Sequence, residues 1–416
     1  MENESTIMLN QPIYNIGMLG SVSDGKSTCV QTISGTKTQR YSSEQTRNIT
    51  IKPGYANAKI WSDGEKLYST NSNVDSHEVG GVKTELVHHV SFVDCPGHHE
   101  LILTMFCNIK LMNGVILVVG ANEQISKKPQ LIQHIAAIKI AGIENIIICL
   151  NKIDLVDKDT VQERYKELNQ ILRKYGIVPK IIIPTSFNRK IGINWLLEAI
   201  IEFFVKEDDI EGSNYFLASR SFDVNKPGTD WEDLKGGVVG GSLLNGRISV
   251  GNRIEIRPGI CSKDRNGNLT CKPIKSDVLS LETEKRMLND VNPGGLFGIG
   301  TNIDPYYCRN DFLSGNIIGI EGELPDVYSK IKLKYRLIDD FGGNWKPKVK
   351  DIVFLQINTM SISSEVTEFN KRNVTLVLSR PACIENSLIV ISHKEDGIMK
   401  IVATGEFMSG DKIQIL

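Results

Sequence analysis

Up to about Glu211, short apolar runs alternate with longer stretches in which apolar residues recur every three or four positions. The runs Ile16–Leu19, Val90–Val93, Val115–Val119, Ile146–Leu150 and Ile181–Ile183 have the length and composition of strands covered on both faces. Between them, Pro129–Ala141 places proline at a helix start, Leu131, Ile132, Ile135 and Ile138 at helical spacing, and Gly142 as a stop. Thr160 with Glu163 reads as a capping box for a helix running to Gly176. Asn194 reads as the cap of a last helix carrying Trp195, Leu196, Leu197, Ala199 and Ile200. This alternation predicts an α/β domain over residues 1–212, with a doubly wound, mostly parallel sheet.

Beyond Gly212 the pattern changes to short alternating runs broken by Gly, Pro and Asn, such as Arg253–Arg257 before Pro258-Gly259, and Ile331–Leu337. Without helix-length periodicity, this predicts two small β-barrels, 213–328 and 329–416, with a boundary near Asp326–Ser329. At ~150 residues per domain, the 416-residue length gives two to three domains. No internal repeat or low-complexity segment is visible.

Composition narrows the class only slightly. Hydrophobic residues make up 41% and charged residues 23%, which suits a packed globular core and excludes a disordered chain or a collagen. With 48 basic against 49 acidic residues the net charge is −1, so any nucleic-acid partner must be met by local patches rather than bulk charge. The eight cysteines lie far apart with no C-x-x-C pair, an argument against a zinc site and against a disulfide framework. No Lys or Arg precedes Lys26, so no signal or transit peptide is expected. No apolar run reaches the ~18 residues of a membrane span, and no membrane role is expected. The chain reads as cytoplasmic and reduced.

Three motifs carry chemistry. Gly20-Ser21-Val22-Ser23-Asp24-Gly25-Lys26-Ser27, followed by Thr28, lies between an apolar strand and a helical stretch, the context of a phosphate-binding loop. Its backbone N–H groups can wrap phosphate oxygens, Lys26 can reach the β- and γ-phosphates, and the Ser27 hydroxyl can ligate Mg²⁺. Asp94-Cys95-Pro96-Gly97-His98 closes the run Val90–Val93. There Asp94 could hold Mg²⁺ through water, Gly97 could offer its N–H to the γ-phosphate, and His98 could orient an attacking water. His99, like His77, His88, His89 and His134, reads as an ordinary surface histidine. Asn151-Lys152-Ile153-Asp154 follows the run Ile146–Leu150. Asp154 can accept from the N1–H and exocyclic amine of guanine, a donor pair adenine lacks, while Asn151 faces the other edge and the Lys152 stem stacks on the ring. This motif turns a phosphate binder into a guanine-nucleotide binder.

Two further elements complete the expected pocket. Thr50, within Arg47–Ile51, is either a Mg²⁺ ligand that senses the γ-phosphate or a plain loop threonine. After Ile181–Ile183, Pro184-Thr185-Ser186 can bring a backbone N–H and Ser186 to the guanine O6.

In this order the motifs resemble the translational GTPases, the superfamily of elongation factor Tu. The strings Ser221–Asp230, Asp233–Ser242 and Val250–Gly259, with Ile49–Ile60, resemble the gamma-subunit family of translation initiation factor 2, over essentially the whole chain. The resemblance implies a GTPase domain and two barrels, assembled with alpha and beta subunits. It also implies GTP-dependent delivery of initiator methionyl-tRNA to the small ribosomal subunit, with slow Mg²⁺-dependent hydrolysis to GDP and phosphate. GTPase-activating and nucleotide-exchange factors are implied as partners. Two other readings stand beside it: an elongation-type or selenocysteine-type carrier of another aminoacyl-tRNA, and a degenerate GTPase used as a scaffold.

The chain departs from that family at four places. Ser21 and Asp24 replace two histidines of the phosphate loop, and Asp24 is expected to put a negative charge near the phosphates. No cysteine lies between Ala58 and Val90, where many relatives carry a zinc ribbon, so no zinc is expected. The family's guanine-contacting Ser-Ala is Ser186-Phe187, and a C-terminal arginine pair is His393-Lys394. For RNA contact, Lys330, Lys332, Lys334 and Arg336 share one face of a strand, which reads first as a solvated barrel face and second as a phosphate-contacting stripe. Lys346, Lys348 and Lys350 show the same alternation, and Arg247, Arg253 and Arg257 are equally open. No tRNA site follows from them.

Overall fold

The structure is a computed structural model. It describes residues 4–38, 50, 53–97, 101–206, 213–263, 269–284, 286–338, 345–385, 388–395 and 397–415. Two compact units divide the chain, 1–208 and 209–416.

The first unit runs α1 (Glu4–Asn10), β1 (Tyr14–Leu19), α2 (Lys26–Ser34), β2 (Gly54–Ser62), β3 (Leu67–Asn71), β4 (Glu85–Asp94) and α3 (Ile102–Asn108), then β5 (Gly114–Gly120), α4 (Pro129–Ala141), β6 (Ile146–Asn151), α5 (Lys158–Tyr175), β7 (Ile181–Pro184) and α6 (Ile193–Phe203). The sheet order is β3-β2-β4-β1-β5-β6-β7. Strands β4, β1, β5, β6 and β7 are parallel, and β2 and β3 continue the sheet antiparallel. Every residue of β1, β5 and β6 is buried, as their unbroken apolar runs require. Ile16, Met18, Phe92, Ile116, Val118 and Ile147 pack with Leu196, Ile200 and Phe204 in one core. Register aligns the strand ends: Met18 pairs with Asp94, Gly120 with Asn151, and Leu150 with Pro184. The loops that follow therefore emerge together at the carboxyl edge of the sheet, where such folds bind ligands.

Helix α4 and its Gly142 cap fall where the periodicity predicts them. The other two caps differ. Helix α5 is capped by Asp157, whose carboxylate accepts the Thr160 N–H, so Thr160 lies inside the first turn and is not the cap itself. The cap position of α6 is Gly192 at φ 79°, one residue before the helix begins, and Asn194 is the second helical residue. The histidines also differ from expectation. His88, His89 and His134 are buried, because each sits on an inward face of β4 or α4. His88 donates to the Phe204 carbonyl at 2.7 Å and His89 to the Met8 carbonyl at 2.8 Å.

The second unit is all β apart from short 3₁₀ turns among its described residues. Strands β8 (Tyr215–Phe222), β9 (Val238–Asn245), β10 (Arg253–Lys263), β11 (Leu269–Thr283), β12 (Phe297–Thr301) and β13 (Ile317–Ile320) pair in the order β10-β13-β8-β9-β12-β11, and β10 pairs with β11 to close the ring. A second closed barrel follows, β14 (Val327–Leu337), β15 (Ile352–Ile357), β16 (Met360–Phe369), β17 (Asn373–Cys383), β18 (Leu388–Glu395) and β19 (Ile398–Lys412), in the order β14-β17-β16-β15-β18-β19. Val327 and Tyr328 are buried at the start of β14.

Two further expectations change here. Cys261 and Cys271 face each other as register partners across β10 and β11 and are joined by a disulfide. Pairing across a hairpin, rather than short spacing in sequence, brings them together. Lys346, Lys348 and Lys350 lie in the loop and turn before β15 and not on a strand, since the Lys-Pro-Lys sequence breaks the ladder.

His134 carries a consequence for stability. Burial, with the Lys26 charge adding to it, lowers its pKa to about 3. Above the ordinary histidine pKa of about 6.5 folded and unfolded chains both hold it neutral. Below that value only the unfolded chain takes up the proton, so stability falls as pH drops from about 6.5 toward 3. Urea unfolding of the first unit's signal is expected to show this loss between pH 7 and pH 5, with a shallower slope in His134→Leu.

Candidate functional site

The loops at the sheet's carboxyl edge enclose a cleft of about 340 Å³. It is lined by Val22, Ser23, Gly25, Lys26, Ser27 and Thr28 from the first motif, Thr50 and Gly97 from the middle segments, and Asn151, Lys152, Asp154, Leu155, Ser186, Phe187 and Asn188 from the last two loops. Three motifs that lie far apart in sequence thus meet in one cavity.

At one end, Lys26 is buried at the first residue of α2, its Nζ donating to the Gly20 carbonyl at 2.9 Å and the Ser21 carbonyl at 2.8 Å. Burial lowers its pKa, and the Asp94 and Asp24 carboxylates oppose that shift. Gly97 approaches this loop so closely that a Cβ there would lie 2.9 Å from both the Gly20 carbonyl oxygen and the Val22 nitrogen. Only glycine fits.

Beside Lys26 stands a cluster of oxygens. The Ser27 hydroxyl donates to Asp94 Oδ2 at 2.6 Å and lies 3.3 Å from the Thr50 hydroxyl. Thr38, which the motifs did not reveal, donates to the same Asp94 oxygen at 2.5 Å. Three hydroxyls and a carboxylate are hard donors of the kind Mg²⁺ prefers when phosphates and water complete its shell.

At the other end, the arrangement adds a second role to one residue. Asn151 lines the cleft, but its amide is engaged by the protein: Nδ2 donates to the Asp24 carbonyl at 2.8 Å, and Oδ1 accepts the Phe187 N–H at 3.2 Å. It ties the first loop to the last while lining the cleft. Gly25, at φ 106°, is needed for this, because a Cβ there would collide with Asn151 Nδ2. Lys152 sits in the left-handed region at φ 65°, unusual for a non-glycine residue and typical of functional loops. Asp154 follows, its carboxyl held below the usual range by the Ser186 hydroxyl first and by Arg189, 3.5 Å away, in smaller part. Phe187 is buried and packs in the core beneath the cleft it lines.

Asp24 departs from expectation. Its carboxylate does not line the cleft but turns behind the loop, where Oδ2 accepts the Ser21 N–H at 3.2 Å and Oδ1 accepts from Lys128 at 2.5 Å. A buried acid needs a buried partner, and Lys128, at the start of α4, supplies it. Gly20 likewise lies beneath the loop and contributes its carbonyl to Lys26. His98, expected to orient water, and Ile49 and Ile51 beside Thr50 lie outside the described residues. Among the arginines considered for RNA contact, Arg247 pairs with Asp290, Arg253 with Asp277 and Glu321, and Arg257 with Glu255. The Lys330, Lys332, Lys334 and Arg336 side of β14 alternates with buried Ile331 and Leu333 as the pattern requires.

A phosphate loop, an Asp–hydroxyl cluster and an Asn-Lys-x-Asp loop at the carboxyl edge of a parallel sheet define a GTP-binding domain. A family model described as the elongation factor Tu GTP binding domain matches residues 11–206. The chain is 37% identical to eukaryotic translation initiation factor 2 subunit 3 of Drosophila melanogaster, covering 98% of this chain and 91% of that protein. It is 36% identical to the initiation factor 2 subunit gamma of Schizosaccharomyces pombe, covering 98% and 96%. In fold it is similar to a bacterial selenocysteine-specific elongation factor, with TM-score 0.71 at 19% identity over 95% of this chain and 58% of that one. The elongation factor SelB of Methanococcus maripaludis, in complex with a GTP analogue, gives 0.70 at 17% identity over 97% and 80%. The chain belongs to the gamma-subunit family of eukaryotic translation initiation factor 2, and is a translational GTPase. Among its described residues no helix is long and apolar enough to cross a membrane.

The tie through Asn151 can be tested directly. Asn151→Ala removes the donor to Asp24 and the acceptor of Phe187 together. It is expected to weaken GTP and GDP binding at least tenfold, about 1.4 kcal/mol, in equilibrium titrations with a fluorescent nucleotide.

Proposed function

We propose that the chain is the GTPase subunit of a heterotrimeric initiation factor, acting with an alpha and a beta subunit in the cytoplasm. Bound to GTP it carries initiator methionyl-tRNA to the small ribosomal subunit, and after hydrolysis to GDP and phosphate it releases it. Activating and exchange factors set the pace of the cycle. The observation that supports this most is the union of all three nucleotide motifs in one cleft, in a chain similar over nearly its full length to initiation factor 2 gamma subunits. We divide the chain into three domains, a GTP-binding domain to about residue 212 and two barrels that part just before Val327.

In this reading Ser23, Asp24, Gly25, Lys26, Ser27 and Thr28 offer backbone N–H groups to the phosphates, with Gly20 shaping the turn. Gly97 presents its N–H to the γ-phosphate, at a spot where any side chain would strike the loop. Lys26 leaves the Gly20 and Ser21 carbonyls to meet the β- and γ-phosphates, and His98 orients the attacking water. Ser27 and Thr50 would hold Mg²⁺, with Asp94 behind them through water, and the ion would supply positive charge against that developing on the transferred group. Asp154 pairs with the guanine N1–H and amine, Lys152 covers the ring, and Ser186 and the Phe187 backbone stand beside O6, with Asn151 bracing them. Loss of the γ-phosphate frees the Thr50 and Gly97 segments together, and that release is the signal passed to the tRNA.

Two outcomes check this reading. Asp154→Asn is expected to shift preference from guanine toward xanthine nucleotides by more than tenfold in competition binding; unchanged GTP affinity sinks the base assignment. Filter binding with charged initiator and elongator tRNA should show initiator tRNA held at least tenfold more tightly with GTP than with GDP. Equal affinity in the two nucleotides removes the carrier model.

A further inference from the structure

Behind the phosphate loop lies a closed charge pair that the roles above leave unused. Asp24 is 2% exposed and Lys128 5%, and they meet at 2.5 Å although 104 residues apart in sequence. Lys128 Nζ also donates to the Gly120 carbonyl at 3.2 Å, so the pair joins the loop to the end of β5 and the start of α4. The space is tight: a Cβ on Gly120 would lie 2.9 Å from Asp24 Oδ1 and 3.3 Å from Lys128 Nζ. The other acid near Lys128, Glu123, is 3.8 Å away and 65% exposed, so it cannot take Asp24's place in the interior.

Among the described residues, the buried charges of this corner balance. Lys26 and Lys128 oppose Asp24 and Asp94, and all four are buried. The Asp24 backbone faces the cleft side of the loop, where its carbonyl holds Asn151, while its carboxylate faces Lys128. Without Lys128 the acid has two courses. It stays buried and unpaired behind the loop that must hold a polyphosphate, or it swings toward water and takes the Ser21 N–H bond with it. Either course opposes an anionic ligand.

We propose that Lys128 is a positioning residue of the nucleotide pocket, acting through Asp24: it holds the Asp24 carboxylate behind the phosphate loop and cancels its charge there. This rests on the reading of the cleft as the nucleotide site. The interaction explains how the chain tolerates an acid in the middle of a phosphate-binding loop.

The test uses the full chain and equilibrium titration with fluorescent GDP and a fluorescent GTP analogue. Lys128→Met is expected to weaken both at least tenfold. Lys128→Arg, which keeps the charge, is expected to bind within about threefold of the unmodified chain. Adding Asp24→Asn to Lys128→Met removes the acid as well and is expected to restore affinity to within about threefold. Wild-type affinity in Lys128→Met overturns the proposal, and so does a double variant that binds no better than Lys128→Met. If Lys128→Met does not fold, the double variant decides: it must fold and bind, and its failure overturns the proposal. An unmodified chain that binds neither guanine nucleotide refutes the reading of the cleft instead.

Discussion

The side-chain amide of Asn151 spans two loops that the sheet merely brings close. One hydrogen bond holds the carbonyl of Asp24 and another the N–H of Phe187, so the phosphate end and the base end of the cleft are fixed relative to each other. Everything else about the pocket assumes that spacing. It requires glycine at position 25, it leaves Lys152 in a left-handed conformation, and it sets Asp154 beside Ser186. A guanine nucleotide is long and rigid at the base but flexible at the phosphates, so a protein that grips both must keep its own two grips at constant distance.

A second constraint is electrostatic. Burial lowers the pKa of Lys26, the Lys128 charge adds to that, and the Asp94 and Asp24 carboxylates oppose it. Asp94 serves two purposes at once: it supports Lys26 from a distance and gathers the Ser27, Thr38 and Thr50 hydroxyls into a cluster. Groups that would be costly singly are affordable as a balanced set in a low-dielectric corner.

Much of this was legible in the sequence, for a definite reason. Unbroken apolar runs marked β1, β5 and β6 because strands buried on both faces have no polar side, and the alternation of Lys332, Leu333 and Lys334 marked a barrel strand because one face is wet. The three motifs were legible because each is contiguous. What escaped was long-range. Lys128 meets Asp24 across 104 positions, Thr38 meets Asp94 across 56, and Cys261 meets Cys271 only once β10 and β11 pair. The bracing role of Asn151 escaped too, because its protein partners lie 127 and 36 residues away. The buried histidines were misjudged because a polar residue on a strand does not declare which face it occupies until the sheet is assembled.

The second barrel is a closed ring, and a ring of strands has no ends. The β14–β19 barrel returns every ladder to its own first strand, while the sheet of the first unit terminates at β3 and β7. A partner that recognises by adding a strand has somewhere to attach on that sheet and nowhere on the ring. Contacts with the barrel must therefore be read through side chains and loops, one residue at a time. Such a surface can diverge among relatives at 36–37% identity while the backbone beneath it stays the same.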